Sequence, residues 1–402
     1  MTSYSDIESE IRTLAKQGFD GTLAHRREIH SNPELSFAEH NTAAYIENEL
    51  QLLGLKTNRI GITGVWAIIE GEAGDGPVVG LRADLDALPI TENNSKEYIS
   101  KNKGVMHACG HDVHSASLLG AAAILVKIKS KLKGKVKLIF QPGEEKLPGG
   151  ASILIKEGIL ENPKVDLMIG QHVMPLIETG KVGFREGLYM ASTDELYVTV
   201  KGKGGHGAMP HLTVDPVAIT AQIIVALQQL VSRMASPIVP TVLTFGKINS
   251  TGGATNIIPS EVKLEGTFRT LDESWREKAH EKMKKLAEHI AEGFGAEIDF
   301  VIERGYPFLK NDVALTSKLT SAAKKYMGEE KVEKLDMWMA AEDFSFYSQK
   351  VPSCFYRLGT RNEGKGIISS VHTDTFDIDE DALEYGSGLM AYLAFISCGG
   401  VL

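Results

Sequence analysis

The stretch Val78-Val79-Gly80-Leu81-Arg82-Ala83-Asp84-Leu85-Asp86 opens with four residues that carry no polar side chain and then delivers three charges in five positions. A strand half-exposed to water alternates apolar and polar side chains. An uninterrupted apolar run belongs instead to a strand covered on both faces, as in a parallel or mixed sheet between helices. Three further runs read the same way, at 65–69, at 136–140 (interrupted only by Lys137) and at 165–169 (interrupted only by Asp166). An alanine- and leucine-rich segment from 115 to 132 has the composition of a helix, and residues 5–30 and 38–53 space their apolar side chains as helices do. The expected class is therefore α/β with a mixed sheet, opened by two helices.

The middle of the chain has a different rhythm. Polar and apolar residues alternate over 194–200, a turn rich in glycine follows (Gly202, Gly204, Gly205, Gly207), and a long amphipathic helix is expected over 214–234. Strands at 241–248 and 257–269, a helix at 273–294 and a strand at 296–303 complete a βαββαβ order, the ferredoxin-like pattern. The expected organisation is a metal-binding catalytic domain, residues 1–182 plus 306–402, interrupted by a lid or dimerisation domain, residues 183–305.

Composition bounds the function. At 402 residues, 43% of them hydrophobic and 24% charged, the chain matches folded globular proteins rather than disordered, collagenous or membrane-spanning ones. Its 43 Lys+Arg against 52 Asp+Glu leave a net charge of -9, which argues against nucleic acid as a partner, and no membrane partner is expected. Cys109, Cys354 and Cys398 are too few and too scattered for a disulfide framework, so a reducing compartment is the simpler reading. The polar start MTSYSDIESEIRTL and the end SCGGVL carry no targeting pattern, which makes the cytoplasm the expected location.

The chemistry collects just past the apolar runs. Residues 78–81 lead into Arg82, Asp84 and Asp86; 136–140 lead into Gln141-Pro142-Gly143-Glu144-Glu145; 165–170 lead into Gln171-His172. Ligands bind open α/β sheets beyond the carboxyl ends of the strands, so these clusters are expected on one rim. To them is added Met106-His107-Ala108-Cys109-Gly110-His111-Asp112-Val113-His114. Taken singly, the Asp-x-Asp reads equally as a loop cap, the Glu-Glu as a solvated turn and His172 as a core histidine. Together they gather negative charge that a divalent cation would offset. Cys109, His111, His172 and Glu145 suit zinc, or manganese, cobalt or nickel, better than calcium or magnesium. They also exceed the needs of one tetrahedral ion, and two ions about 3.5–4 Å apart would share a bridging group and hold an activated water. Glu144 would then be the general base beside them.

These motifs, with His172-Val173-Met174-Pro175, His206-Gly207-Ala208-Met209-Pro210-His211 and Thr255-Asn256-Ile257-Ile258-Pro259, resemble the M20 metallopeptidase family. The resemblance is closer to its amidohydrolase branch, which contains hippurate hydrolases, N-acyl-L-amino acid deacetylases and auxin-conjugate hydrolases. It implies a zinc-peptidase-like catalytic domain holding two divalent metal ions per subunit. Cys109 would bridge them, and His111, Glu145, His172 and His372 would complete the centre. Glu144 would be the base that later protonates the leaving amine. His206 would stabilise the oxyanion, often from a partner subunit, while Asn256 and Arg269 would grip the substrate's carboxylate. It further implies a homo-oligomer, a dimer or a dimer of dimers, acting on small N-acyl-L-amino acids, with a carboxypeptidase or dipeptidase as the alternative. A metal-dependent binder without turnover would not need an unliganded Glu144. The sequence departs from the pattern at Asp374, where relatives usually carry proline, and at Met174, where many carry tryptophan.

Overall fold

The computed structural model describes residues 4–400, which divide into two compact units. The first takes the chain up to Tyr189, then Lys310–Met337, then everything from Asp343 onward; the second takes Met190–Leu309 and Trp338–Glu342.

The first unit is built on an eight-stranded sheet. Its order is Thr57–Ile60, Gly64–Glu70, Lys135–Gln141, Val78–Asp84, Leu167–Glu178, Ser353–Arg361, Val182–Phe184, Val332–Lys334. The four central strands are mutually parallel, and antiparallel strands flank them, so the sheet is mixed. Their register brings the chemistry to one rim. Asp84 faces Gln141, Arg82 faces Gly170, and two residues on Asp84 comes level with His172, which faces Arg357. The helices His111–Lys127 and Ala382–Ser397 are buried along almost their whole lengths, which their alanine-, glycine- and leucine-rich sequences permit. Burying such helices against the sheet supplies the apolar core that drives folding.

The structure differs from expectation in three places here. The opening segment makes two helices, Tyr4–Gln17 and Phe19–Ser31, with Gly18 between them, ahead of His40–Leu52. The fifth strand runs on to Glu178 because it stays paired with Ser353–Arg361, so His172 lies inside a strand and not past its end. Val182–Phe184 pairs with Arg357 and Leu358, which keeps the chain in the first unit up to Tyr189, a few residues past the start near 183 expected for the inserted domain.

The second unit has a four-stranded antiparallel sheet in the order Thr241–Ser250, Glu261–Thr270, Asp194–Lys201, Glu297–Arg304. Numbered along the chain this is 2-3-1-4, the ferredoxin-like arrangement. Its helices Pro216–Gln229 and Glu273–Gly293 begin at Asp215 and Asp272, whose carboxylates accept from Val217 N and Trp275 N. The segment Pro216–Met234 is long and apolar enough to cross a membrane by length and composition alone. Ile219, Ile223, Leu227 and Leu230 recur at helical spacing in the core of this unit. The strand expected over 257–269 is interrupted, because Pro259 has no N–H to give a ladder. Ile257–Ile258 pairs instead with Gly205–His206. Trp338–Glu342 joins this unit through hydrogen bonds such as Ala191 N to Ala340 O at 3.0 Å.

Candidate metal centre

The rim of the first unit brings together a thiol, imidazoles and carboxylates. Gly110, at φ 85°, ends the loop that carries Cys109 and starts the helix at His111, a backbone conformation that costs a side-chain-bearing residue about 1–2 kcal/mol. The ligand atoms of Cys109, His111 and His172 lie within 4.8 Å of one another, and so do those of Cys109, Glu145 and His372. Cys109 therefore belongs to both triads. His172 Nε2 is 3.5 Å and His372 Nε2 3.3 Å from its Sγ.

Neighbouring groups set the tautomers. His111 donates from Nδ1 to Asp86 Oδ1 (3.2 Å), and its Nε2, 3.6 Å from Asp84 Oδ2, is buried without a hydrogen-bond partner. His172 donates from Nδ1 to Val173 O (2.8 Å), leaving Nε2 toward Cys109. Glu145 Oε1 is buried, 3.1 Å from His372 Nε2 but without hydrogen-bond geometry. His372 sits at φ 63° on a loop whose backbone N–H donates to Ala108 O at 2.7 Å.

The aspartates of the 82–86 segment orient this set. Asp86 also accepts from Glu145 N (3.0 Å) and Ser36 Oγ (2.6 Å), so one carboxylate fixes His111, the Glu145 backbone and the loop at Ser36. Asp84 accepts from Arg82 (2.5 Å) and from His114 Nδ1 (2.6 Å), while His114 Nε2 accepts from Val173 N (2.9 Å) beside His172. Glu144 Oε1 accepts from Asp343 N at 3.3 Å. The Asp343 carboxylate in turn takes hydrogen bonds from Arg82, Gln141 and Ala151 N.

Electrostatics explain what the set would hold. Burial, reinforced by Glu145, Glu144 and Asp84, pushes the Cys109 thiol well above its ordinary pKa. Burial opposes charge on His111, but Asp84 and Asp86 outweigh it and raise its pKa to about 10. Burial and the Arg357 charge push His172 well below the usual histidine value, which keeps it a neutral donor. A thiol, imidazoles and carboxylates in a negative field, two of their ligand atoms buried without hydrogen-bond partners, fit divalent cations: a cation displaces the proton that this field holds on His111, stabilises the thiolate and satisfies both atoms.

The residues expected to contact the substrate lie in the second unit. His206 and Asn256 are brought together, since His206 faces Ile257 and Gly207 N donates to Asn256 O at 2.8 Å. His206 and Asn256 are exposed. Arg269 is elsewhere on that unit, half-buried and donating to Met339 O at 3.2 Å. Lys201, five residues before His206, faces Glu261, and Arg269 lies eight residues further along, so about 26 Å of sheet separates it from that pairing at ~3.3 Å per residue. Asp374 is exposed and Met174 half-buried. His107 is buried with neither ring nitrogen hydrogen-bonded. The Arg82–Asp343 pair, which supports Glu144, was not anticipated from sequence. Its partners are 261 residues apart, and no local spacing relates them.

A buried thiol shared by two ligand triads, beside a further glutamate, on the carboxyl rim of a mixed sheet, defines a metal-dependent hydrolase. Residues 80–395 match the model of peptidase family M20/M25/M40, and the chain belongs to that family. It is 40% identical over 397 residues to thermostable carboxypeptidase 2 of Saccharolobus solfataricus, covering 97% of this chain and 98% of that one. It is 41% identical over 377 residues to N-acetyl-L-cysteine deacetylase of Bacillus subtilis, covering 93% of this chain and 86% of that one. Among solved structures it resembles the Bacillus subtilis YXEP protein, a dinuclear metal binding peptidase from the M20 family. That likeness has a TM-score of 0.80 and 34% identity, and covers 96% of this chain and 100% of that one.

Proposed function

We propose that this enzyme hydrolyses the amide bond of N-acyl-L-amino acids, releasing a carboxylic acid and a free amino acid. The observation that carries the reading is Glu144: adjacent to Glu145, beside the triads, and held at Oε1 by the Asp343 N–H. Cys109, His111 and His172 would hold one divalent cation, and Cys109, Glu145 and His372 the other. Bound there, the pair supplies Lewis acidity toward the scissile carbonyl and acidifies the attacking water. Glu144 takes one proton from that water as its oxygen attacks the carbonyl carbon, and returns it to the amine nitrogen as the C–N bond breaks. His206 donates to the carbonyl oxygen as negative charge develops on it. Arg269 pairs its planar fork with the substrate carboxylate, and Asn256 adds a hydrogen bond. Thiolate and imidazole ligands favour zinc, with manganese, cobalt or nickel as substitutes. Three free, buried cysteines support a reducing, cytoplasmic setting.

The reading includes a homo-oligomer, a dimer or a dimer of dimers. Val225 and Ile238 of the second unit are 66% and 88% exposed, and Thr241–Ser250 is an edge strand there; a second copy would cover both.

The test is Glu144→Gln, which keeps the shape and removes the base. Metal content should stay at the wild-type level while turnover of N-acetyl amino acids falls by several orders of magnitude. Turnover near wild type in a metal-loaded variant defeats the assignment. The identity to a carboxypeptidase favours a second reading, in which the same groups cleave a peptide's C-terminal residue. Rates on N-acetyl-amino acids and on dipeptides, measured side by side, distinguish the two.

A further inference from the structure

All the proposed ligands lie at or beyond Cys109, yet a side chain from the second helix, Phe19–Ser31, spans two of the segments that carry them. Arg26 is completely buried. Its Nε donates to Asp112 Oδ2 (2.9 Å), its Nη2 to Asp377 Oδ1 (2.8 Å) and its Nη1 to Glu380 Oε1 (3.0 Å). Asp112 follows His111 in the first turn of the His111–Lys127 helix, and Asp377 lies five residues past His372 in the loop that leads to the Ala382–Ser397 helix. His30, one turn on from Arg26, reinforces the first arm, with Nδ1 2.8 Å from Asp112 Oδ2.

The His372 loop needs such an anchor. The imidazole of His372 is 52% exposed, so packing does not fix it, and its position follows from the loop backbone. That backbone is tied by His372 N to Ala108 O, by Asn93 N to Asp374 O and by Asn94 Nδ2 to Phe376 O. Arg26 adds the charged tie, and its planar fork fixes distance and angle between Asp112 and Asp377 together.

We propose that Arg26 is a positioning residue of the metal centre: its guanidinium sets the spacing between the His111 segment and the His372 loop. It thereby maintains the cation position made by Cys109, Glu145 and His372. The proposal rests on the reading of His372 as a ligand. The position made with His111 and His172 does not depend on the loop and keeps its ion when Arg26 is changed.

The experiment uses the full chain loaded with zinc or cobalt. Arg26→Lys, Asp377→Asn and, as reference, His372→Ala are compared with wild type by metal content after dialysis, by chelator competition, by the visible spectrum of the cobalt form and by circular dichroism. Arg26→Lys and Asp377→Asn should fold, hold one ion as tightly as wild type and bind the second about 10- to 100-fold more weakly, as loss of a ligand-orienting contact does. Two ions at wild-type affinity in both folded variants, with His372→Ala losing one, overturns the role of Arg26 alone. Equal weakening of both ions also overturns it. Retention of both ions by His372→Ala overturns the ligand reading itself. Should Arg26→Lys fail to fold because three carboxylates, two of them buried, lose their fork, Asp377→Asn decides, since it keeps Arg26 with its arms to Asp112 and Glu380 and weakens the charged tie to the loop, along with the contacts of Asp377 to Lys96 and Tyr98.

Discussion

Asp86 illustrates how much one side chain decides. Its buried carboxylate accepts from the buried His111 Nδ1 and from the part-buried Glu145 N and Ser36 Oγ. Asp86→Ala leaves donors without partners, at about 1–3 kcal/mol for each buried group, and frees His111 to rotate. Metal affinity should fall about 10- to 100-fold and the melting temperature should drop, as chelator competition and thermal denaturation would register. Affinity within twofold of wild type would mean that Asp86 does not orient the ligands. Cys109, His111, Glu144, Glu145 and the two aspartates could be read from sequence because each motif packs several reactive groups into a few positions. Arg26 and Asp343 could not. Each is a single charged residue whose meaning comes from partners hundreds of residues away, such as Asp377 at 351 and Arg82 at 261.

At the scale of elements, the turn after Lys135–Gln141 aims the proposed base. Gly143 lies at φ 59°, its N–H donates to Glu39 Oε1 (2.8 Å), and a Cβ there would come within 2.2 Å of Phe37 Cε1. Gly143→Ala therefore combines a disfavoured left-handed conformation, about 1–2 kcal/mol, with overpacking of about 1–3 kcal/mol. The expected result is a loss of roughly 2–5 kcal/mol in denaturant unfolding, with kcat falling further than KM rises because Glu144 is displaced. An unchanged unfolding midpoint would show that the ring at Phe37 yields freely. Apolar runs predicted the central strands because burial on both faces leaves a plain compositional mark. Where strands end was harder to read. Pairing with Ser353–Arg361 carries the His172 strand to Glu178, and Pro259 breaks a run that composition alone joins.

For the whole molecule, the decisive fact is internal to the second unit. His206 and Asn256 sit together at the two-stranded sheet of Gly205–His206 and Ile257–Ile258, while Arg269 lies in the four-stranded sheet, eight residues along its strand from the Lys201–Glu261 pairing. In a two-fold symmetric pair, His206 of one chain and Arg269 of the other would serve one substrate. His206→Ala and Arg269→Ala should each be nearly inactive alone. Mixed under conditions that exchange subunits, half of the dimers become hybrids, and each hybrid has one site with both groups intact, so about a quarter of wild-type activity returns. The other site of each hybrid lacks both groups and stays silent. Activity in the mixture no greater than the average of the two pure variants, with subunit exchange verified by a mass-tagged chain, would show that one chain supplies both groups to a site and overturn the split between chains.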